Sequence, residues 1–264
     1  MKILRYNDSN GTIHRAAQVE DRWIRLASDN FGESQISDDE AQIARVLAPL
    51  APVCIYGIGL NYRRHAEETG MAIPERPIVF FKPPSSVIGD GDTIRLPSSS
   101  HKVDYECELA VVIGRAAKNV SKTDALGYVV GYTGANDVSA RDWQQEWGGS
   151  QWSRGKSFDT FCPLGPVLVT LDEIPNPNAL AIKTVLSGET RQDWNTGDMI
   201  FDVPTLIEFL SHETTLWPGT VILTGTPQGV GMAAKPQRFL RDGDDVTIEI
   251  EGIGALRNNV QNAA

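Results

Sequence analysis

The sequence predicts a mainly β protein of the α+β class, and three observations carry that reading. Runs rich in β-branched and aromatic residues, many with period-two alternation, recur along most of the chain. Glycine and proline, 24 and 15 of the 264 residues, punctuate those runs at short intervals. Helical patterns are few and do not alternate with the strands, which argues against a parallel α/β sheet. A composition 41% hydrophobic and 22% charged is that of an ordinary globular protein, apolar enough to bury a core.

The elements follow in order. MKILRY reads as a strand and HRAAQVEDRWIRLA as a hairpin with alternating apolar positions. DDEAQIARVLAPL has the spacing of an amphipathic helix, stopped by Pro49 and Pro52. Residues 1–49 thus read as a small β-rich N-terminal cap domain and 50–264 as the main body. Strands are expected there at PVCIYGIG, PIVFFKP, VDYECELAVVIG, ALGYVVGYTGAND, GPVLVT, LAIKTVLSG, GTVILTGT, DDVTIEIE and GALRNNV. Short helices are expected at NYRRHAEETG, with Asn61 as N-cap, and opening near Ser139. A third, VPTLIEFLSHETT, offers Leu206, Ile207, Phe209 and Leu210 as its buried stripe.

Several function classes are disfavoured. No apolar run approaches the roughly 20 residues needed to cross a bilayer, and MKILRYNDSNG lacks the apolar region of a signal peptide. A cytoplasmic protein with no membrane partner is the expectation. Cys54, Cys107 and Cys162 are odd in number and widely spaced, which fits a reducing compartment and argues against a zinc cluster. A net charge of -10 with no basic stripe argues against nucleic acid as a partner. Gly57-Ile58-Gly59 is not a dinucleotide fingerprint, because Tyr62 stands where the third glycine would be, and no phosphate loop, GxSxG or HExxH motif is present.

The chemistry concentrates in a few places. Asp104, Glu106 and Glu108 alternate along VDYECELAVVIG, which on a continuous strand puts three carboxylates on one face about 6–7 Å apart. At that spacing two carboxylates repel by roughly 3 kcal/mol at an effective dielectric near 20. A hard cation turns that repulsion into ligation; the alternative is a solvated polar edge. Leu109 to Ile113 are apolar on both faces, so the strand runs into a covered sheet and its acids lie at the mouth of a cavity. Asp137, at the end of a strand in GANDVSARD, is a further carboxylate candidate or simply a helix cap. Oxygen donors without histidine or cysteine suit Mg²⁺ or Mn²⁺.

His65 and Glu68 lie three apart on a short helix after GIGLNY. They form either a carboxylate-oriented general base on a movable lid or a solvated helix face. Lys156 in SRGKSFDTF is placed to neutralise a substrate carboxylate or a developing enolate, unless it is a surface lysine. Thr226 lies in the glycine-rich turn LTGTPQGVG, whose backbone N–H groups are suited to holding a carboxylate.

Taken together, GIGLNYRRHAEE, FFKP, VDYECELAVVIG, GYTGANDVSARDWQ, GKSFDTFCPLGP and ILTGTPQGVG resemble the fumarylacetoacetate hydrolase family, in order and over about residues 50 to 260. The resemblance implies a mixed β-sandwich roll, a catalytic domain over 50–264, and usually a homodimer. It implies Glu106, Glu108 and Asp137 as ligands of Mg²⁺ or Mn²⁺, with Asp104 a neighbour outside the ligand set. By the same resemblance His65, Glu68 and Lys156 are catalytic, and Arg141, Gln144 and Thr226 contact or position the substrate. The implied substrate is a small 2-oxo acid or its enol, and the implied reaction keto–enol tautomerisation or isomerisation of an oxaloacetate-like dicarboxylate. Hydrolytic C–C cleavage of an acylpyruvate and oxaloacetate decarboxylation are the alternatives, and a non-catalytic metal-binding dimeric scaffold is the alternative of another class. The tryptophan- and glycine-rich QQEWGGSQWSRG is where subfamilies of the family differ.

Overall fold

The computed structural model describes residues 1–28, 31–32, 35–147 and 150–263; Gly148 and Gly149, within the divergent segment, lie outside these. Strand β1 (Lys2–Asn7) pairs with β2 (Ile13–Val19) and β2 with β3 (Arg22–Leu26), the hairpin that the alternating pattern predicts. The helix expected over DDEAQIARVLAPL does not form. Instead β4 (Ile36–Glu40) adds to β3, and β5 (Arg45–Leu47) adds to β1. A short helix closed by prolines gains little alone, whereas an existing strand edge offers hydrogen bonds at once.

In the body, β6 (Cys54–Gly59) leads to α1 (Arg63–Thr69), then to β7 (Ile78–Lys82), antiparallel to β6. Helix α1 ends at Gly70, whose φ of 67° lies in the left-handed region that glycine enters without strain. Asn61 is not its cap. The Asn61 amide instead donates to the carbonyls of Phe201 and Thr224 and accepts from the Phe201 N–H, while Asp198 receives the free Arg64 N–H at the helix start. The short strands β8 (Val87–Ile88) and β9 (Thr93–Leu96) carry too few residues to stand out in the sequence.

VDYECELAVVIG is two strands, not one. After β10 (Val103–Asp104) the Glu106 N–H leaves the ladder to donate to Asn136 Oδ1, and β11 (Cys107–Ile113) begins beyond it. Strand β12 (Val129–Asn136) runs antiparallel to β11. At Ser139, where a helix was expected, β13 (Ser139–Ala140) pairs with β10, and helical turns start only at Asp142. There follow α2 (Trp152–Gly155), β14 (Cys162–Val169), β15 (Ala181–Leu186) and β16 (Glu189–Asn195). Ser187 and Gly188 join the last two with positive φ at both positions, matching the twist of a tight hairpin. Helix α3 (Val203–Ser211) precedes β17 (Thr220–Leu223), β18 (Asp245–Ile250) and β19 (Gly254–Asn262). It buries Leu206, Ile207 and Leu210, but Phe209 is 39% exposed. At 100° per residue Phe209 falls about 110° from the middle of the buried face.

The large sheet runs β4-β3-β2-β1-β14-β12-β11-β17-β6-β7, with β5 and β8 attached; a five-stranded sheet, β16-β15-β18-β19-β9, packs on its middle strands β11, β12 and β14. Strand β11 is buried throughout. Cys107, Leu109, Val111 and Ile113 join one core with Ile182 and Ile248, while Ala110 and Val112 join a second core with Ile3 and Leu223. Glu106 and Glu108 share the parity of Ala110 and Val112 and stand at the end of that face.

Candidate metal centre and active site

Glu108 is held by β11, and Glu106 by the bend just before it. Asp137 follows the last residue of β12, and its N–H donates to the Glu106 carbonyl at 2.9 Å. The partner strands therefore deliver three carboxylates to one spot. Each offers an oxygen within 4.8 Å of the others, and all three residues are buried. Oxygens bound to one cation at about 2.1 Å lie at most about 4.2 Å apart, so shifts of a few tenths of an ångström would close the set. Asp104 is not among them. Its carboxylate turns away, to Arg141 Nε at 3.0 Å and to the N–H groups of Tyr105, Gly231 and Met232. The expected stack of three acids fails because the strand is interrupted between Asp104 and Glu108.

Cations brace the cluster. Lys156, at the end of α2, donates to Glu106 Oε2 at 2.8 Å, Asp137 Oδ2 at 2.6 Å and Ser139 Oγ at 2.8 Å. Lys82, from β7, donates to Asp137 Oδ1 at 2.6 Å and the Val138 carbonyl at 3.2 Å. Arg141 Nη2 lies 2.8 Å from Glu106 Oε1 as an ion pair without hydrogen-bond alignment, and its Nη1 donates to Gln144. Burial works against the Glu106 charge, but Lys156 and Arg141 outweigh it and hold the carboxyl at about 2. Likewise burial would strip the proton from Lys156, and Asp137 and Glu106 overcome it, so the ammonium is held more firmly than usual.

Glu108 is the exception. Burial, then Asp137 and Glu106, push its carboxyl well above the usual range. Among the described residues no cationic side chain pairs with it, and its Oε2 takes only the Gly225 N–H at 2.7 Å. An all-oxygen donor set with one carboxylate short of positive charge fits a hard divalent cation and suits neither zinc nor copper.

Across a cavity of about 40 Å³ stands His65. Its Nδ1 lies 2.8 Å from Glu68 Oε1, and Glu68 Oε2 accepts the Gly229 N–H at 2.9 Å. His65, Glu106, Glu108, Arg141, Gln144, Lys156 and Thr226 line this space, while Asp137 lies behind, covered by the two lysines. The glycine-rich turn does hold carboxylates with its N–H groups, but they are the protein's own. Gly225 serves Glu108, Gly229 serves Glu68, and Gly231 serves Asp104.

Sequence reasoning missed Lys82 and Gln192. A lysine inside the apolar run IVFFK was the available signal, because lysine is almost never fully buried unless paired. Nothing local marks Gln192.

The cluster of oxygen donors, facing an imidazole already engaged by a carboxylate, could hold a metal ion. The chain belongs to the fumarylacetoacetate hydrolase family: residues 54–261 match "Fumarylacetoacetate (FAA) hydrolase C-terminal". The fumarylacetoacetate hydrolase domain-containing protein 2 homolog of Dictyostelium discoideum is 46% identical over 252 residues, 91% of this chain and 82% of its own length. The mitochondrial oxaloacetate tautomerase Fahd2a of Rattus norvegicus is 49% identical over 218 residues, 83% of this chain and 68% of its own. The crystal structure of a 5-carboxymethyl-2-hydroxymuconate delta-isomerase from Mycobacterium smegmatis superposes with a TM-score of 0.88 at 38% identity, each chain covered completely. The mainly β architecture is thus that of the family.

Proposed function

We propose that the chain interconverts the keto and enol forms of a small dicarboxylate of the oxaloacetate type, with Mg²⁺ or Mn²⁺ held by Glu106, Glu108 and Asp137. The observation that carries the reading is the buried carboxylate cluster facing the His65–Glu68 pair across a cavity of a few water volumes. Bound there, the divalent ion would supply positive charge to stabilise negative charge growing on the substrate's oxo oxygen.

The remaining work falls to side chains. With Nδ1 engaged by Glu68, His65 keeps Nε2 for the substrate and takes the proton from the carbon beside the oxo group. Return of a proton to that carbon gives the keto form, and protonation of the oxygen gives the enol. Lys156 and Arg141 offset the carboxylates that line the pocket, Gln144 holds Arg141 in place, and Thr226 offers a hydroxyl to the substrate. Asp104, Glu106, Glu108 and Asp137 oppose Lys82, Arg141 and Lys156, which leaves one negative charge when all are ionised. A divalent ion turns that into one positive charge, a setting for a dianion. Tautomerase and isomerase names among the relatives support the same choice.

All these residues lie within 50–264, which we take as the catalytic domain, with 1–49 an appended cap. A cytoplasmic homodimer completes the proposal. The three cysteines are free, and exposed Val53 and Trp217, the first beside Gly219, give an apolar patch for a second copy. Among the described residues no helix is long and apolar enough to cross a membrane.

The test is purified protein with Mg²⁺ or Mn²⁺, assayed for oxaloacetate enol absorbance and, separately, for cleavage of a short acylpyruvate. Faster keto–enol exchange is expected. Acylpyruvate cleavage without it would replace the reading with hydrolysis.

A further inference from the structure

Gln192, on β16, is 1% exposed and takes no part in the chemistry above. Its Oε1 accepts the Cys107 N–H at 2.9 Å and the Thr184 hydroxyl at 2.7 Å. Its Nε2 donates to the Pro227 carbonyl at 2.8 Å and to Thr226 Oγ1 at 2.8 Å. The two ends of this amide cannot be exchanged. A backbone N–H only donates and a carbonyl only accepts, so a flipped amide would set N–H against the Cys107 N–H and oxygen against the Pro227 oxygen.

The consequence falls on Thr226. A hydroxyl has a single hydrogen. Since Oγ1 accepts a hydrogen bond from the Gln192 amide, its own hydrogen is left for another acceptor, and no described hydrogen bond uses it. Thr226 lines the cavity with Glu106, Glu108 and Lys156. The same amide grips Cys107, the residue between the two glutamates, and the turn beyond Thr226 is pressed onto β16. A Cβ on Gly229 would lie 2.1 Å from the Arg191 carbonyl oxygen. Gln192 therefore ties the strand bearing the glutamates to the turn bearing the hydroxyl.

We propose that Gln192 is a positioning residue that sets the Thr226 hydroxyl as a hydrogen-bond donor into the cavity, so that this wall selects an anionic oxygen of the ligand. The inference rests on the dicarboxylate reading of the cavity. Both faces of Gln192 are filled by protein, so it acts through Thr226 and not on the ligand.

The experiment is a double-mutant cycle on the Mg²⁺-loaded full chain, with the affinity for malate measured by calorimetry. Malate has the four-carbon dicarboxylate skeleton of oxaloacetate and no oxo group to enolise. Thr226→Val is expected to weaken binding about tenfold, the loss of one hydrogen bond to a charged acceptor. Gln192→Met should weaken it about as much, and the double variant should bind no worse than Thr226→Val to within about twofold. Losses that multiply in the double variant, or a Gln192→Met protein that binds malate like the parent, overturn the proposal. If Gln192→Met does not fold, Gln192→Glu keeps the bond to Cys107 and loses the N–H pair, and the same coupling is read at pH 8. A parent chain that does not bind malate also overturns it, and oxaloacetate turnover by that chain tells whether the tautomerase reading falls as well.

Discussion

Replacing Lys82 with methionine isolates the electrostatics of the centre from its chemistry. The Lys82–Asp137 pair is fully buried on both sides, at 2.6 Å. Breaking a buried pair from one side costs about 3–5 kcal/mol, because the remaining charge stays desolvated. Asp137 retains Lys156 at 2.6 Å, so the lower end applies, about 3 kcal/mol. For a chain of this size that is a fall in Tm of roughly 6–10 °C. Divalent cation should repair part of it, since positive charge returns beside Asp137. Calorimetric scans with and without saturating Mg²⁺ are the assay, and the metal-induced rise in Tm should be larger in Lys82→Met than in the parent. A metal-free loss under about 2 °C would mean that Asp137 is not left as an uncompensated charge, and Lys82 would lose its place as counterion.

Glu108→Gln should have the opposite sign in metal-free protein. It removes a buried carboxylate that is ion-paired with no cation among the described residues, so Tm should hold or rise, while the gain on adding Mg²⁺ and the turnover both disappear; a preserved metal response would remove Glu108 from the site. His65→Ala should leave the Mg²⁺-induced rise in Tm in place and lower kcat by about 10²–10⁴-fold, and a normal rate in a stopped-flow enol assay would demote the His65–Glu68 pair. Asp202 caps α3 by accepting the Thr205 N–H at 2.9 Å, so Asp202→Ala should cost about 1 kcal/mol near neutral pH in denaturant titrations. Burial works against that carboxylate, but Thr205 and Lys122 outweigh it and hold its pKa below the usual 3.8. Its contribution is therefore complete above 3.8 and lost as pH falls through the lower folded value, and the parent–variant difference should shrink in the same acid window.

Much of this molecule could be read before its structure, and the failures have a common cause. Cys107–Ile113 announces itself because every residue is apolar or at the cavity mouth, and Glu106 and Glu108 are legible as a pair although Glu106 sits on the bend before the strand. His65 and Glu68 are legible for the same local reason, at helical spacing. What stayed hidden depends on contacts between distant residues. The segment 38–50 looks helical alone and becomes strand because β1 and β3 offer edges. Asn61 looks like a cap and is spent instead on Phe201 and Thr224, 140 and 163 residues away. Gln192 reaches Cys107 across 85 residues, and no window of sequence contains both.

The shared parity of Glu106, Glu108, Ala110 and Val112 makes the reactive centre hostage to strand alignment. Deleting one residue between Glu108 and Ile113 would send either the acids or the apolar side chains beneath them to the wrong side of the sheet. Variation that alters what the enzyme accepts therefore has to accumulate elsewhere. The loop residues that reach the cavity, Met71 and Met232, are under no such constraint from strand register.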